Sequence, residues 1–295
     1  MIGWKMTPTK VALVFLFILK SSLIAQEYIE QVTPPWGYIF KGWKGPPIDV
    51  INYFPASATK SSPILIVIPG ASRDAQRFHA SWLDLAKKKS FIVLTIGARK
   101  KYFPDEYSYN AGRLITSQGH AMDKSQWLFS AIEPLFEDFK KRYKLNTKKF
   151  YLFGHSAGGG FVHRYLLFKP KAPVVKAVAA NPAFVTVPDF DIQYPFGLKN
   201  TPLKKRDIKP WFKHSLAIIL GEDDLGPRTK PLSNGAMANV QGSNCFERGQ
   251  LLFSAAKQAS KKARTKFNWK LITVPGVGHN NFEIAPAAAN YLFGK

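Results

Sequence analysis

KKFYLFGHSAGGGFVHRYLL, Lys148 to Leu167, is an apolar run that stops abruptly on glycine. A histidine and Ser156 follow, then Ala157 and three more glycines. Glycines carry the largest conformational entropy cost on folding, so a cluster at the end of a strand needs a reason. The pentapeptide GHSAG (Gly154–Gly158) fits G-x-S-x-G, a tight strand-to-helix turn that holds its serine out as a nucleophile. Its glycines leave room for strand and helix to close around the turn. By itself the pattern is weak: in a chain of this length it arises by chance about one time in ten. The strand before it and the helix after it give it weight.

Working outward, further apolar runs read as buried strands: Pro63–Gly70, Phe91–Gly97, Lys149–Gly154, Val175–Asn181, Ser215–Gly221 and Trp269–Gly276. Their continuous apolarity suits a parallel sheet covered on both faces. Ile48–Pro55 reads as an earlier, antiparallel strand. Helical periodicity appears over 123–143, Gly158–Phe168, Phe246–Lys261 and Ala285–Phe293. Strands alternating with helices predict a doubly wound α/β sheet, with ligands at the carboxyl ends of its strands. Three longer stretches, 98–121, 184–213 and 224–245, interrupt the rhythm and suit lids or binding walls.

Partners for Ser156 follow in the order nucleophile, acid, histidine. IILGEDDLGP supplies Asp224, three residues beyond Gly221, and TVPGVGHNNF supplies His279 on a glycine loop after the last strand. His279 would take the Ser156 proton and Asp224 would orient the imidazole. Asp223 and Glu222 are neighbouring rivals for the acid, and Asp189 and Asp191 more distant ones. The oxyanion donors would be the N–H of Ala157 and, after the Ile64–Gly70 run, that of Ala71. His155 reads as a pocket-lining or packing residue and His163 as structural, with His79, His120 and His214 unassigned.

IPGASRDAQRFHASW, FGHSAGGGFVHRY, GEDDLGPRT with QGSNCFERGQLLF, and GVGHNNF together resemble the α/β-hydrolase superfamily. More narrowly, they are similar to exported bacterial esterases of the polyhydroxybutyrate depolymerase group, over about residues 46 to 293. The resemblance implies an α/β-hydrolase fold and serine-dependent ester hydrolysis through an acyl-enzyme, without a cofactor. Where the family's loop carries His-Gly, this chain has Pro69-Gly70, which keeps the backbone turn and removes an orienting imidazole.

Composition sets the remaining expectations. Residues 1–25 pair a basic start with the apolar run Val11–Leu19 and end on Ala25, as a secretory signal peptide does. That leaves 26–295 as a single catalytic domain, secreted or periplasmic; an uncleaved anchor is the alternative. The chain carries 42 Lys and Arg against 19 Asp and Glu, a net charge of +23. Removing residues 1–25 takes three lysines and no acid, leaving +20. Such a field favours anionic surfaces or acidic substrates. The basic residues are spread in short clusters with no nucleic-acid motif, so specific nucleic-acid binding is not expected. One cysteine, Cys245, forbids an internal disulfide and reads as a small apolar residue. The six histidines show no zinc spacing, so no metal is expected. Oligomeric state and the identity of the ester leave no mark in the sequence.

Overall fold

A computed structural model describes residues 37–294. The signal-peptide reading of residues 1–25 lies outside the described residues. Eight strands form one sheet in the order β1-β2-β4-β3-β5-β6-β7-β8. They are β1 (Gly37–Phe40), β2 (Ile48–Tyr53), β3 (Ile64–Ile68), β4 (Ile92–Gly97), β5 (Phe150–His155), β6 (Val174–Ala180), β7 (Leu216–Gly221) and β8 (Lys270–Val274). β2 runs antiparallel to β4, as its early position in the sequence suggested, and β3 through β8 are parallel. Every residue of β3, β4 and β7 is buried, which explains why those runs carry no polar alternation. β8 is an edge strand and is partly exposed along its length.

Helices cover both faces: α1 (Ala75–Ala80), α2 (Leu83–Lys89), α3 (Ile132–Tyr143), α4 (Ala157–Phe168), α5 (Lys209–Lys213), α6 (Ala236–Asn239), α7 (Cys245–Lys262) and α8 (Asn281–Phe293). On one face Trp82 sits edge-on between Phe91 and Phe153, and Ile284, Ala288 and Leu292 of α8 close the same layer. On the other, Phe129 packs against Phe161 and Phe168 of α4. Each such side chain contributes about 2 kcal/mol through apolar burial.

The helix expected over 123–143 is shorter than its periodicity implied. Two 3-10 turns, Lys124–Gln126 and Leu128–Ala131, precede α3, separated by Trp127 in an extended conformation. Trp127 donates its indole N–H back to the carbonyl of Met122, and its ring packs edge-on to Phe168. Tertiary packing therefore outweighs local propensity there. Asn280 caps α8 through the N–H of Phe282, so that helix begins four residues earlier than its apolar pattern suggests.

Three imidazoles lie in this interior. His79 of α1 bonds Thr95 of β4 at 2.9 Å. His163 of α4 donates from Nδ1 to the carbonyl of Gly159 and accepts from the N–H of Thr186 at Nε2, which fixes it as a neutral tautomer. His155 ends β5. Burial lowers the pKa of all three, to about 4 for His79 and well below 6.5 for the others. For a depressed histidine the unfolded chain binds the proton more readily than the native one. The stability is therefore fully present above the unfolded value near 6.5 and is lost as pH falls toward the folded value. Denaturant unfolding is expected to show stability falling from about pH 6.5 downward. His79→Gln should reduce that slope by about 1.4 kcal/mol per pH unit between about pH 4 and 6.5.

Candidate active site

β5 delivers Ser156 at its carboxyl end. The serine N–H bonds the carbonyl of Ala180 at 2.9 Å, and its own carbonyl accepts from Gly160 in the first turn of α4. Between these anchors Ser156 takes φ 59° and ψ −118°, a backbone conformation that few side chains tolerate. The glycines on either side are dictated by contact. A Cβ on Gly154 would lie 2.1 Å from the carbonyl oxygen of Gly158, and one on Gly158 would lie 2.0 Å from that of Ile68 at the end of β3. Helix α4 is thus pressed onto the β3 terminus. The first-turn N–H of Ala157 has no acceptor within its helix.

The loop after β3 carries Ala71 beside the serine, and a Cβ on Gly70 would stand 3.5 Å from that of Ser156. Tyr109 secures this loop by donating its hydroxyl to the carbonyl of Pro69 at 2.6 Å. Arg73 stacks on the Tyr109 ring at 3.6 Å and donates to the carbonyls of Phe103 and Asp105. A tyrosine on the 98–121 stretch therefore anchors the turn at Pro69.

His279 and Asp224 meet at the ends of β8 and β7. The His279 Nδ1 to Asp224 Oδ2 distance is 2.6 Å. The amide of Asn181, at the end of β6, donates to the same oxygen at 2.5 Å while its carbonyl accepts the N–H of Gly221. Burial pushes Asp224 up, but the His279 and Asn181 bonds and the Arg228 charge outweigh it and leave the carboxyl below its ordinary value. The rival acids point elsewhere. Glu222 accepts from Thr273, Asp223 is exposed, and Asp189 accepts the backbone N–H of Asp191 in the 184–213 stretch.

Ser156, Ala157, Ala71 and His279 all line one cavity of about 330 Å³. His155 lines it too, its ring 4.6 Å from that of His279. Three cations, Arg77, Arg228 and Lys230, border the cavity against one acid, Glu106. Arg228 reaches back to within 3.4 Å of Asp224 Oδ1. Asn110 and Asn281 also face the cavity, each nearly fully buried and each with one amide atom lacking a partner.

Two buried arginines hold the cavity walls. Arg164 of α4 donates to the carbonyls of Asn110, Gly160, Phe184 and Pro195 and to the hydroxyl of Thr186. Arg248 of α7 donates to the carbonyls of Ala183, Ser233 and Gly242. Neither pairs with a carboxylate; both spend their charge on backbone oxygens of the long loops. Nothing local in the sequence marks them, because all but one of these partners lie six to 65 residues away.

Cys245 is fully buried, and its sulfur lies within 4.8 Å of ligand atoms of both Asp224 and His279. Burial pushes the thiol up to about 12, so it stays protonated at neutral pH. With that proton in place, Cys245 packs as a neutral side chain against the Asp224–His279 pair, and the Arg228 guanidinium beside the carboxylate disfavours a cation there.

Among solved structures, poly(aspartic acid) hydrolase-1 from Sphingomonas sp. KT-1 superposes with a TM-score of 0.83 and 34% identity, across 87% of this chain and 97% of that one. The chain belongs to the α/β-hydrolase family. The poly(3-hydroxybutyrate) depolymerase LpqC from Bordetella parapertussis is similar at 27% identity and a TM-score of 0.79, over 84% of each chain. A bifunctional acetylxylan esterase/xylanase from Neocallimastix patriciarum is 25% identical over 126 residues, which is 42% of this hydrolase and 16% of that protein. No family model matches the sequence.

The contact between α4 and the β3 terminus admits no extra atom. Gly158→Ala is expected to lose about 1–3 kcal/mol of stability in denaturant titration, or to fail to accumulate as soluble protein.

Proposed function

We propose that this hydrolase is an exported serine esterase in which Ser156, His279 and Asp224 act as nucleophile, base and orienting acid. The observation that carries the reading is the 2.6 Å His279–Asp224 pair opening onto the cavity that also holds Ser156 in its strained turn. With Nδ1 bonded to Asp224, the other ring nitrogen of His279 is left to take the proton of the serine hydroxyl. The freed oxygen attacks the substrate carbonyl, and the N–H groups of Ala157 and Ala71 receive the charge on its oxygen. His279 returns the proton to the leaving alcohol. Water then repeats the sequence on the acyl-enzyme and releases the acid. Export is supported by the leader-like composition of residues 1–25.

A second reading concerns the bond and the charge of the substrate. Arg77, Arg228 and Lys230 around the cavity favour a substrate that bears carboxylates, and the 34% identical neighbour is named for hydrolysis of poly(aspartic acid). On this reading the scissile bond is an amide in an acidic chain. Nitrophenyl esters and aspartyl oligomers assayed side by side separate the two. Turnover of the amides alone would overturn the ester reading.

Ser156→Ala and His279→Ala are expected to remove nearly all turnover without loss of thermal stability. Asp224→Asn should lower kcat by about 10³–10⁴-fold, while Asp223→Asn stays near wild type. A crippling effect at Asp223 instead would move the acid assignment. Arg77→Gln should raise KM for carboxylate-bearing substrates by about tenfold and leave neutral esters within about twofold, measured by steady-state kinetics.

A further inference from the structure

The parallel topology sorts the chain into two ends. Segments that follow β3, β5, β7 and β8 form the mouth, with Ala71, Ser156, Asp224 and His279. Segments that run into β4, β5, β6, β7 and β8 must all lie at the opposite end of the sheet. Those segments read KKKSF (Lys87–Phe91), KKRYKLNTKK (Lys140–Lys149), KPKAP (Lys169–Pro173), KHS (Lys213–Ser215) and KKARTKFNW (Lys261–Trp269). They hold three, six, two, one and four Lys or Arg respectively, and not one Asp or Glu. The mouth carries both signs, with Asp105, Glu106 and the Glu222–Asp224 run among its acids. Clusters that look scattered along the chain are gathered by the fold into a single cationic pole.

Helix dipoles account for part of this, since cations favour the last turn of a helix. Lys87, Lys140, Arg142 and Lys169 also have carboxylate partners. The dipole fades within a turn, however, and the lysines continue past the helix ends. Lys148, Lys149, Lys171, Arg264 and Lys266 lie in the connectors, exposed, with no carboxylate within 4.0 Å among the described residues. Neither capping nor ion pairing uses these charges.

We propose that this pole is a docking surface for an anionic lipid bilayer, which holds the enzyme with its mouth turned away from the membrane. Breadth favours a planar partner: the charges come from five separate connectors strung along the sheet. Distance argues against the hydrolysed chain as occupant. The 18 residues of α7 run about 27 Å from Cys245, beside Asp224, to Lys262 at the pole. The exposed apolar residues Leu225 and Phe282 follow the carboxyl ends of β7 and β8 and so belong to the opposite side. Val175, at the amino end of β6, is the large apolar side chain exposed there among the described residues, so docking rests on charge and must weaken with salt. This inference does not depend on the catalytic assignment.

Vesicle co-sedimentation tests it with the purified protein. Vesicles of 3:1 phosphatidylcholine to phosphatidylglycerol in 100 mM NaCl should bind at least tenfold more tightly than phosphatidylcholine alone, and 500 mM NaCl should release the protein. Lys148→Glu/Lys149→Glu should weaken binding at least fivefold. Lys100→Glu/Lys101→Glu, at the mouth end with the same change in net charge, should weaken it less than twofold. Lys171→Glu/Lys266→Glu serves as a second pole variant if the first folds poorly by circular dichroism. An environment-sensitive dye on Ser215→Cys should blue-shift on the vesicles, and the same dye on Lys101→Cys should not. Equal losses in the pole and mouth variants would overturn the proposal, as would a shifted dye at the mouth. So would capture of soluble polyaspartate by the pole without binding to vesicles.

Discussion

Everything at the mouth depends on how closely the helix after Ser156 approaches the neighbouring strand. Gly158 lies against the carbonyl of Ile68, so the β3 terminus, the β5 terminus and the first turn of α4 share one small volume. That contact forces the backbone of Ser156 into its strained turn, and it also brings Ala71 next to the serine. A single side-chain carbon at Gly154 or Gly158 would push the three elements apart. The entropy cost of the GHSAGGG run is what makes room for this approach. The strain in turn is held by bonds outside the turn, from Ser156 N–H to Ala180 and from Gly160 N–H to Ser156.

Much of this was legible in the sequence because its signals are local. Continuous apolar runs mark the parallel strands, five of the six ending on glycine and Val175–Asn181 on asparagine, and β3 through β8 all fall where such runs occur. The carboxylate that pairs with His279 was harder to read. Glu222, Asp223 and Asp224 are adjacent, and only three-dimensional pairing separates them: Asn181 and His279 converge on Asp224, while Thr273 claims Glu222. The break at Trp127 was hidden because the apolar spacing of 123–143 is helical throughout, and the distant Phe168 decides the conformation.

The least legible features are those whose partners lie far away in the chain. Tyr109 sits 40 residues from the carbonyl it holds, and Arg164 bonds oxygens 20 to 54 residues distant. Both belong to ordinary-looking sequence, yet they fix the loop that carries Ala71 and the cavity wall. The cationic pole is similar. Its lysines are dispersed along the sequence, and parallel strand order alone collects them. Charge thus has two addresses in this molecule: a few cations around the cavity that holds Ser156, and a larger set at the far end.

The central functional claim is that Ser156 is an activated nucleophile. Reaction of the purified protein with a fluorophosphonate, followed by peptide mass spectrometry, tests it most directly. The account predicts one covalent adduct, on Ser156, formed rapidly in the wild-type protein and suppressed in His279→Ala. Failure of the wild type to react, or an adduct on Ser72 or Ser233 of the same cavity, would contradict it.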